Sequence, residues 1–100
     1  MYFLDRLFNL ERMEVQGNSM EPELKSGDRI VVKKTGNALE IGDIVVLCAP
    51  QKNHRLVKRI VQKNGNQLFV EGDNKNESTD SRMFGWIHEN AVLGKAVKKY

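Results

Sequence analysis

His54-Arg55-Leu56-Val57-Lys58-Arg59-Ile60-Val61-Gln62-Lys63-Asn64-Gly65-Asn66-Gln67-Leu68-Phe69-Val70-Glu71 reads as two strands joined by a tight turn. From 54 to 62 the side chains alternate: Leu56, Lys58 and Ile60 share one face, and Val57, Arg59 and Val61 share the other. Lys63-Asn64-Gly65-Asn66 suits a hairpin turn, because Asn and Gly tolerate positive φ. Residues 67–71 form the return strand. Lys58 is the anomaly, a cation in the same row as Leu56 and Ile60. If that row faces the core, its ammonium is desolvated. If the parity is reversed, Lys58 stands on a solvated face beside Arg59.

The same pattern extends outward from this hairpin. Upstream, residues 29–33 (Arg-Ile-Val-Val-Lys) are β-branched and strand-like, and residues 44–49 (Ile-Val-Val-Leu-Cys-Ala) form a continuous apolar run of the kind found in a buried strand. Cys48 in that run is expected to be a buried small hydrophobe. Residues 13–16 suit a further short strand, and residues 21–24 a helical turn. Lys25-Ser26-Gly27-Asp28, Thr35-Gly36-Asn37 and Ile41-Gly42-Asp43 are turns. Downstream, residues 72–85 are polar and expected as a loop, residues 86–87 and 91–97 complete the sheet, and Lys98-Lys99-Tyr100 is a tail. At the start, apolar residues at 3, 4, 7, 8 and 10 fit one face of a short helix within a segment spanning 1–12. The expected fold is all-β: a single small, partly open β-barrel-like domain of short antiparallel strands, with a short N-terminal helix, spanning residues 1–100.

Composition narrows the function classes. A net charge of +3 among 29% charged residues is mild, and is ordinary solvation rather than the footprint of a polyanion binder. One cysteine excludes an internal disulfide. No apolar run reaches the roughly 18 residues needed to span a bilayer, and charges at 5, 6, 11 and 12 argue against a secretory leader. The expected location is cytoplasmic, with peripheral membrane contact through residues 2–10 as the alternative use of that apolar face. His54 and His88 lack Cys or His partners at ligand spacing, so neither a metal nor a cofactor is expected.

A second anomaly is Gly17-Asn18-Ser19-Met20-Glu21-Pro22, a serine in a Gly-led bend stopped by proline. Such a serine is commonly a turn residue. The bend also leaves backbone N–H groups without partners, so the Ser19 N–H could face a developing oxyanion. A desolvated lysine has a lowered pKa, and as a neutral amine it can take the proton of a serine hydroxyl. Ser19 as nucleophile and Lys58 as general base are the candidate pair.

At these residues the chain resembles the signal peptidase I family of Ser/Lys peptidases. Gly17-Asn18-Ser19-Met20-Glu21-Pro22-Glu23-Leu24 is similar to its serine box and Leu56-Val57-Lys58-Arg59-Ile60-Val61 to its lysine box. Gly72-Asp73-Asn74, followed by Ser78-Thr79-Asp80-Ser81-Arg82-Met83-Phe84-Gly85, is similar to its third box, and Ile41-Gly42-Asp43-Ile44-Val45 to its Gly-Asp-Ile-Val strand start. The resemblance implies a serine endopeptidase, with Ser19 as nucleophile, Lys58 as base and Ser78 orienting the lysine. It also implies an Asp80–Arg82 structural ion pair with Arg59 close by, and the Ser19 backbone N–H as one oxyanion donor. Gly17 occupies the position where some members carry a second hydroxyl, and Glu23 replaces the usual Thr after the proline.

The expected chain is a minimal catalytic core. It lacks the family's membrane anchor, and residues 60–71 leave room for one hairpin where an inserted domain would stand. It looks most like the small soluble proteases that remove an N-terminal extension from nickel-type superoxide dismutase. The expected partner is therefore a protein precursor with an N-terminal extension. Three alternatives remain beside it. One is general signal-peptidase-like processing. Another is a non-enzymatic nucleic-acid module built on Lys52, His54, Arg55, Lys58, Arg59 and Lys63, with Phe69, Phe84 and Trp86 as stacking platforms. The last is a self-cleaving repressor-type protease, which would lack the third box.

Overall fold

The computed structural model describes residues 9–34, 38–50 and 54–100. Among them, seven strands form one antiparallel sheet. They are β1 (Leu10–Glu14), β2 (Arg29–Lys33), β3 (Ile44–Cys48), β4 (Arg55–Asn64), β5 (Gln67–Glu71), β6 (Ile87–His88) and β7 (Val92–Lys99). Their order is β1-β2-β7-β3-β4-β5-β6, so β7 enters between β2 and β3. The sheet curls into a half-barrel, as the alternating and β-branched runs predict. Register shifts at Val31/Val32, Val46/Leu47 and between Ile60 and Gln62 supply curvature, because each irregularity bends its strand. Gly94 makes the crossing possible: a Cβ there would lie 2.6 Å from Val32 Cγ1 and 2.7 Å from the Lys33 carbonyl oxygen.

Two clusters make up the core. Val45, Leu47, Ile60, Leu68, Val70 and Ile87 pack on one side, and Val15, Met20, Leu24, Ile30, Val32 and Val46 on the other. β3 sends Val45 and Leu47 to the first and Val46 to the second. Its continuous apolar run is therefore buried on both faces. Each fully buried aliphatic side chain contributes about 1.5–3 kcal/mol.

Several expectations change. Most of the helix expected over residues 1–12 lies outside the described residues. Its end, residues 10–12, is not helical but opens β1, after Asn9 at φ +58°. Leu10 fits both patterns, and the ladder to β2, from Leu10↔Lys33 to Glu14↔Arg29, decides between them. The strand expected over 13–16 thus starts earlier and ends earlier. Cys48 is exposed rather than buried, because the β3–β7 ladder ends at Leu47↔Val92 and Cys48 lies beyond that cover. Lys98 and Lys99 are not tail residues; they pair with Val31 and Ile30. The turn expected at 35–37 and the loop residues 51–53 lie outside the described residues. The β4–β5 loop is Gly65-Asn66, with Gly65 at φ +62°. The loop expected over 72–85 holds a 3₁₀ turn (Lys75–Glu77) and a short α-helix, α1 (Ser81–Phe84). The signal for that helix was Asp80, whose carboxylate accepts from the Arg82 N–H as an N-cap.

Candidate active site

Ser19 sits in the bend between β1 and β2, half-buried, next to Met20, which is fully buried in the second core cluster. That anchor fixes the bend from one side. The bend closes on itself through Leu24 N–H to the Met20 carbonyl, 2.9 Å, and Glu21 N–H to the Asn18 carbonyl, 3.2 Å. The third box holds it from the other side. The Asn74 N–H donates to the Ser19 carbonyl at 2.8 Å, and its side-chain amide donates to the Asn18 carbonyl at 3.1 Å. Among the described residues, no hydrogen bond from the Ser19 N–H occurs. The Gly17 N–H donates to Ser26 Oγ at 3.1 Å.

Lys58 lies mid-strand in β4, opposite Val45, and is 3% exposed. Its row, with Leu56 and Ile60, is the one that turns toward the first core cluster, so the desolvated alternative holds. No hydrogen bond or ion pair to its ammonium occurs among the described residues. Burial lowers its pKa from the ordinary lysine value. The Asp80 carboxylate opposes that shift, and the Arg82 guanidinium adds to it.

Ser19 and Lys58 line one groove of about 420 Å³, between residues 13–16 on one wall and residues 55–58 on the other. Arg55, on the second wall, pairs with Glu11 of β1, its Nη1 3.1 Å from Glu11 Oε2.

Beside the groove is a buried polar cluster. Asp80 is wholly buried. Its carboxylate accepts from Ser78 Oγ at 2.6 Å, from the Gly72 N–H at 2.9 Å, and from Arg82 through Nε at 3.0 Å and Nη2 at 3.1 Å. Burial pushes its pKa up. The bonds from Arg82, Ser78 and the Gly72 and Arg82 N–H groups outweigh this and hold it well below the usual carboxylate range. Ser78 therefore spends its hydroxyl proton on Asp80, and its lone pairs remain as acceptors. Arg59 lies one residue past Lys58, on the opposite face of β4. It makes a two-pronged pair with Asp73, at 2.9 and 2.8 Å, and reaches the Gly42 carbonyl at 2.8 Å. Glu23 stands 3.7 Å from the same guanidinium.

All the sequence-derived site residues thus converge on one region. Sequence reasoning missed how the third box works. Gly72, Asp73 and Asn74 respectively permit a close approach, pair Arg59 and clamp the serine bend. A Cβ on Gly72 would collide with Ser78 Oγ and come within 2.6 Å of the Ser19 carbonyl oxygen. Gly72→Ala is therefore expected to destabilise the fold by roughly 1–3 kcal/mol and to lower activity more than tenfold by displacing Ser19. Thermal melting and cleavage rate measured on the same sample check this.

Of the groups expected for the nucleic-acid alternative, Lys52 lies outside the described residues, and several of the others have partners within the fold. Arg55 pairs Glu11, Arg59 pairs Asp73, Lys63 Nζ donates to the Leu39 carbonyl at 2.7 Å, and Phe69 packs edge-on against Trp86. His88 Nδ1 accepts from the Asn90 N–H. Among the described residues, no group of three His, Cys, Asp or Glu is disposed to hold a metal, and no helix is long and apolar enough to cross a membrane.

Comparison with known proteins places the chain among the peptidases. The profile of the signal peptidase family, peptidase S26, matches residues 1–67 and 64–100, and the chain belongs to that family. It is similar to a probable signal peptidase I-1 of Synechocystis, 24% identical over 95% of this chain and 73% of that protein. It is also similar to signal peptidase IB of Staphylococcus aureus, 38% identical over 81% of this chain and 72% of that protein. With signal peptidase I P of Bacillus subtilis subsp. natto it is 38% identical over 74% of this chain, which spans only 42% of that relative.

Proposed function

We propose that residues 1–100 act as one catalytic core, a Ser–Lys endopeptidase in which Ser19 is the nucleophile and Lys58 the general base. The observation that carries this is the shared groove: a turn serine and a buried, pKa-lowered lysine line the same cleft. An extended precursor segment lies between residues 13–16 and β4, as added strands do. Ser19 Oγ bonds to the scissile carbonyl carbon and its proton passes to Lys58. The oxyanion faces the Ser19 N–H. Lys58 then protonates the leaving nitrogen, the C–N bond breaks, and the acyl group stays on Ser19. Water, deprotonated by Lys58, attacks the acyl carbon and releases the acid, and the proton returns to Ser19 Oγ. Ser78, whose hydroxyl donates to Asp80, is assigned as the positioning residue for Lys58. The Asp80–Arg82 pair and the Arg59–Asp73 pair hold the third box in place.

The substrate is a protein precursor whose N-terminal extension is removed, with the pro-form of a nickel superoxide dismutase as the first candidate. Support for that choice is the resemblance noted above and the short β4–β5 hairpin. Intact-mass measurement after incubation tests it. A single N-terminal cut by the wild type, lost in Ser19→Ala, is the expected result. A cut only in a signal-peptide-like sequence keeps the dyad and replaces the substrate with general precursor processing. Undiminished cutting by Ser19→Ala overturns the dyad.

A further inference from the structure

A second cavity, also of about 420 Å³, borders Lys58. Lys58 and Leu56 line both this cavity and the groove, whereas Ser19 lines only the groove. The two side chains are the partition between them. The other walls include Ala49, just past β3, and Met83 and Phe84 of α1. Met83 is 63% exposed, a large apolar side chain left to solvent at a cavity rim.

We infer that this cavity receives an apolar side chain from the leaving segment of the substrate, one of the first two residues after the cut. The inference rests on the Ser19–Lys58 reading. The acyl portion stays bonded to Ser19, so the residues before the cut belong to the groove. The leaving nitrogen takes its proton from Lys58 and must sit at that amine. The chain continuing from that nitrogen passes Lys58, and the cavity is what Lys58 borders beyond the groove. An extended peptide advances about 3.3 Å per residue with side chains alternating in direction, so one of the first two residues points into the cavity.

The lining chemistry selects the occupant. The groove mixes apolar residues such as Met13, Val15 and Val57 with Glu14, Gln16 and Arg55. Among the described residues, this cavity has no acidic side chain and is mainly apolar through Ala49, Leu56, Met83 and Phe84, with His54, Thr79 and Lys58 as its polar groups. A carboxylate placed there would also stand beside Lys58, favour its protonated form and remove the base. Acidic residues at that position are therefore selected against twice.

The test uses the full chain and peptides sharing one signal-peptide-like sequence with Ala before the cut. Gly, Leu, Phe or Asp is placed in turn at the first and second positions after it. At one of the two positions, Leu or Phe is expected to raise kcat/KM about tenfold over Gly, and Asp to lower it below Gly. Ala49→Leu, which fills the cavity, and Met83→Ala, which strips its rim, are each expected to flatten that ratio toward one without altering selection before the cut. Because Met83 is exposed, its variant tests the cavity even if Ala49→Leu melts early. A flat series in the wild type, with cleavage still dependent on Ser19, overturns the cavity assignment and leaves the dyad standing. Altered selection before the cut in either variant also overturns it. If the wild type cuts only the precursor of the preceding section, the same substitutions are made after its cut and read in the same way; absence of cleavage of both the peptides and that precursor removes the dyad reading and the cavity assignment together.

Discussion

Lys58→Ala is expected to lower kcat/KM by on the order of 10³-fold or more, as loss of a general base does in hydrolases of this type, while the circular dichroism spectrum stays native. Lys58→Arg is expected to be equally inactive, because a guanidinium keeps its proton throughout the working pH range. In the wild type, activity should rise with pH through the lowered lysine pKa, since only the neutral amine is a base. A rate that falls between pH 6 and pH 9 would contradict the assignment.

The same residue has an opposite effect on stability. Lys58 titrates at lower pH folded than unfolded. Between the two pKa values the unfolded chain binds more protons, so stability rises with pH across that window. Below it, the buried ammonium opposes folding. Lys58→Met, which fills the space without a charge, is thus expected to melt higher than wild type at neutral pH, with the gain shrinking as pH approaches the ordinary lysine value. An inactive variant more stable than its parent separates a catalytic lysine from a structural one. Melting curves at pH 7 and pH 10 read the difference.

Asp80→Asn is the second large effect, and it falls on the fold. The substitution keeps the side chain's shape but removes the charge that Arg82, Ser78 and the Gly72 N–H converge on. One amide cannot accept from every one of these donors, and the Arg82 guanidinium, itself partly open to solvent, loses its buried counter-charge. The expected loss is about 3 kcal/mol, or a fall in melting temperature of roughly 10 °C or more. The pH dependence carries the sign. Asp80 has a folded pKa below its unfolded value of roughly 3.9, so its contribution is fully present above that value. It is lost as pH falls through the folded pKa. Wild type and variant should therefore converge as pH drops from 5 toward 2, and a gap that stays constant would rule out the charge as the cause.

Asp80→Asn also carries a kinetic readout that a purely structural role would not move. Asp80 is the group that raises the Lys58 pKa against burial. Without it, the acid limb of the pH–rate profile should shift to lower pH in whatever fraction remains folded.

Much of this protein was legible in the chain because the relevant signals are local. Alternation from 54 to 62, Gly65 in the hairpin turn and the two-sided apolar run at 44–47 depend on neighbours in sequence, and they determined an antiparallel β fold. The residue types at 19, 58, 78, 80 and 82 and their order determined which chemistry to suspect. Where a residue satisfied two local patterns, sequence could not choose: Leu10 fits a helix face and a strand row, and the ladder to β2 decided for the strand. Cys48 looked like core because its neighbours are core, yet burial depends on how far β7 extends beside it.

The parity of β4 was the larger open question. A one-residue slip would have exchanged Lys58 for Arg59 on the inward face, and only pairing with β3 and packing of Ile60 settled it. The grip of Asn74 on Ser19, the Gly72 approach and the partition that Lys58 forms between two cavities join residues tens of positions apart. Such contacts follow from the curl of the sheet, which is a property of the packed strands together and of no one segment.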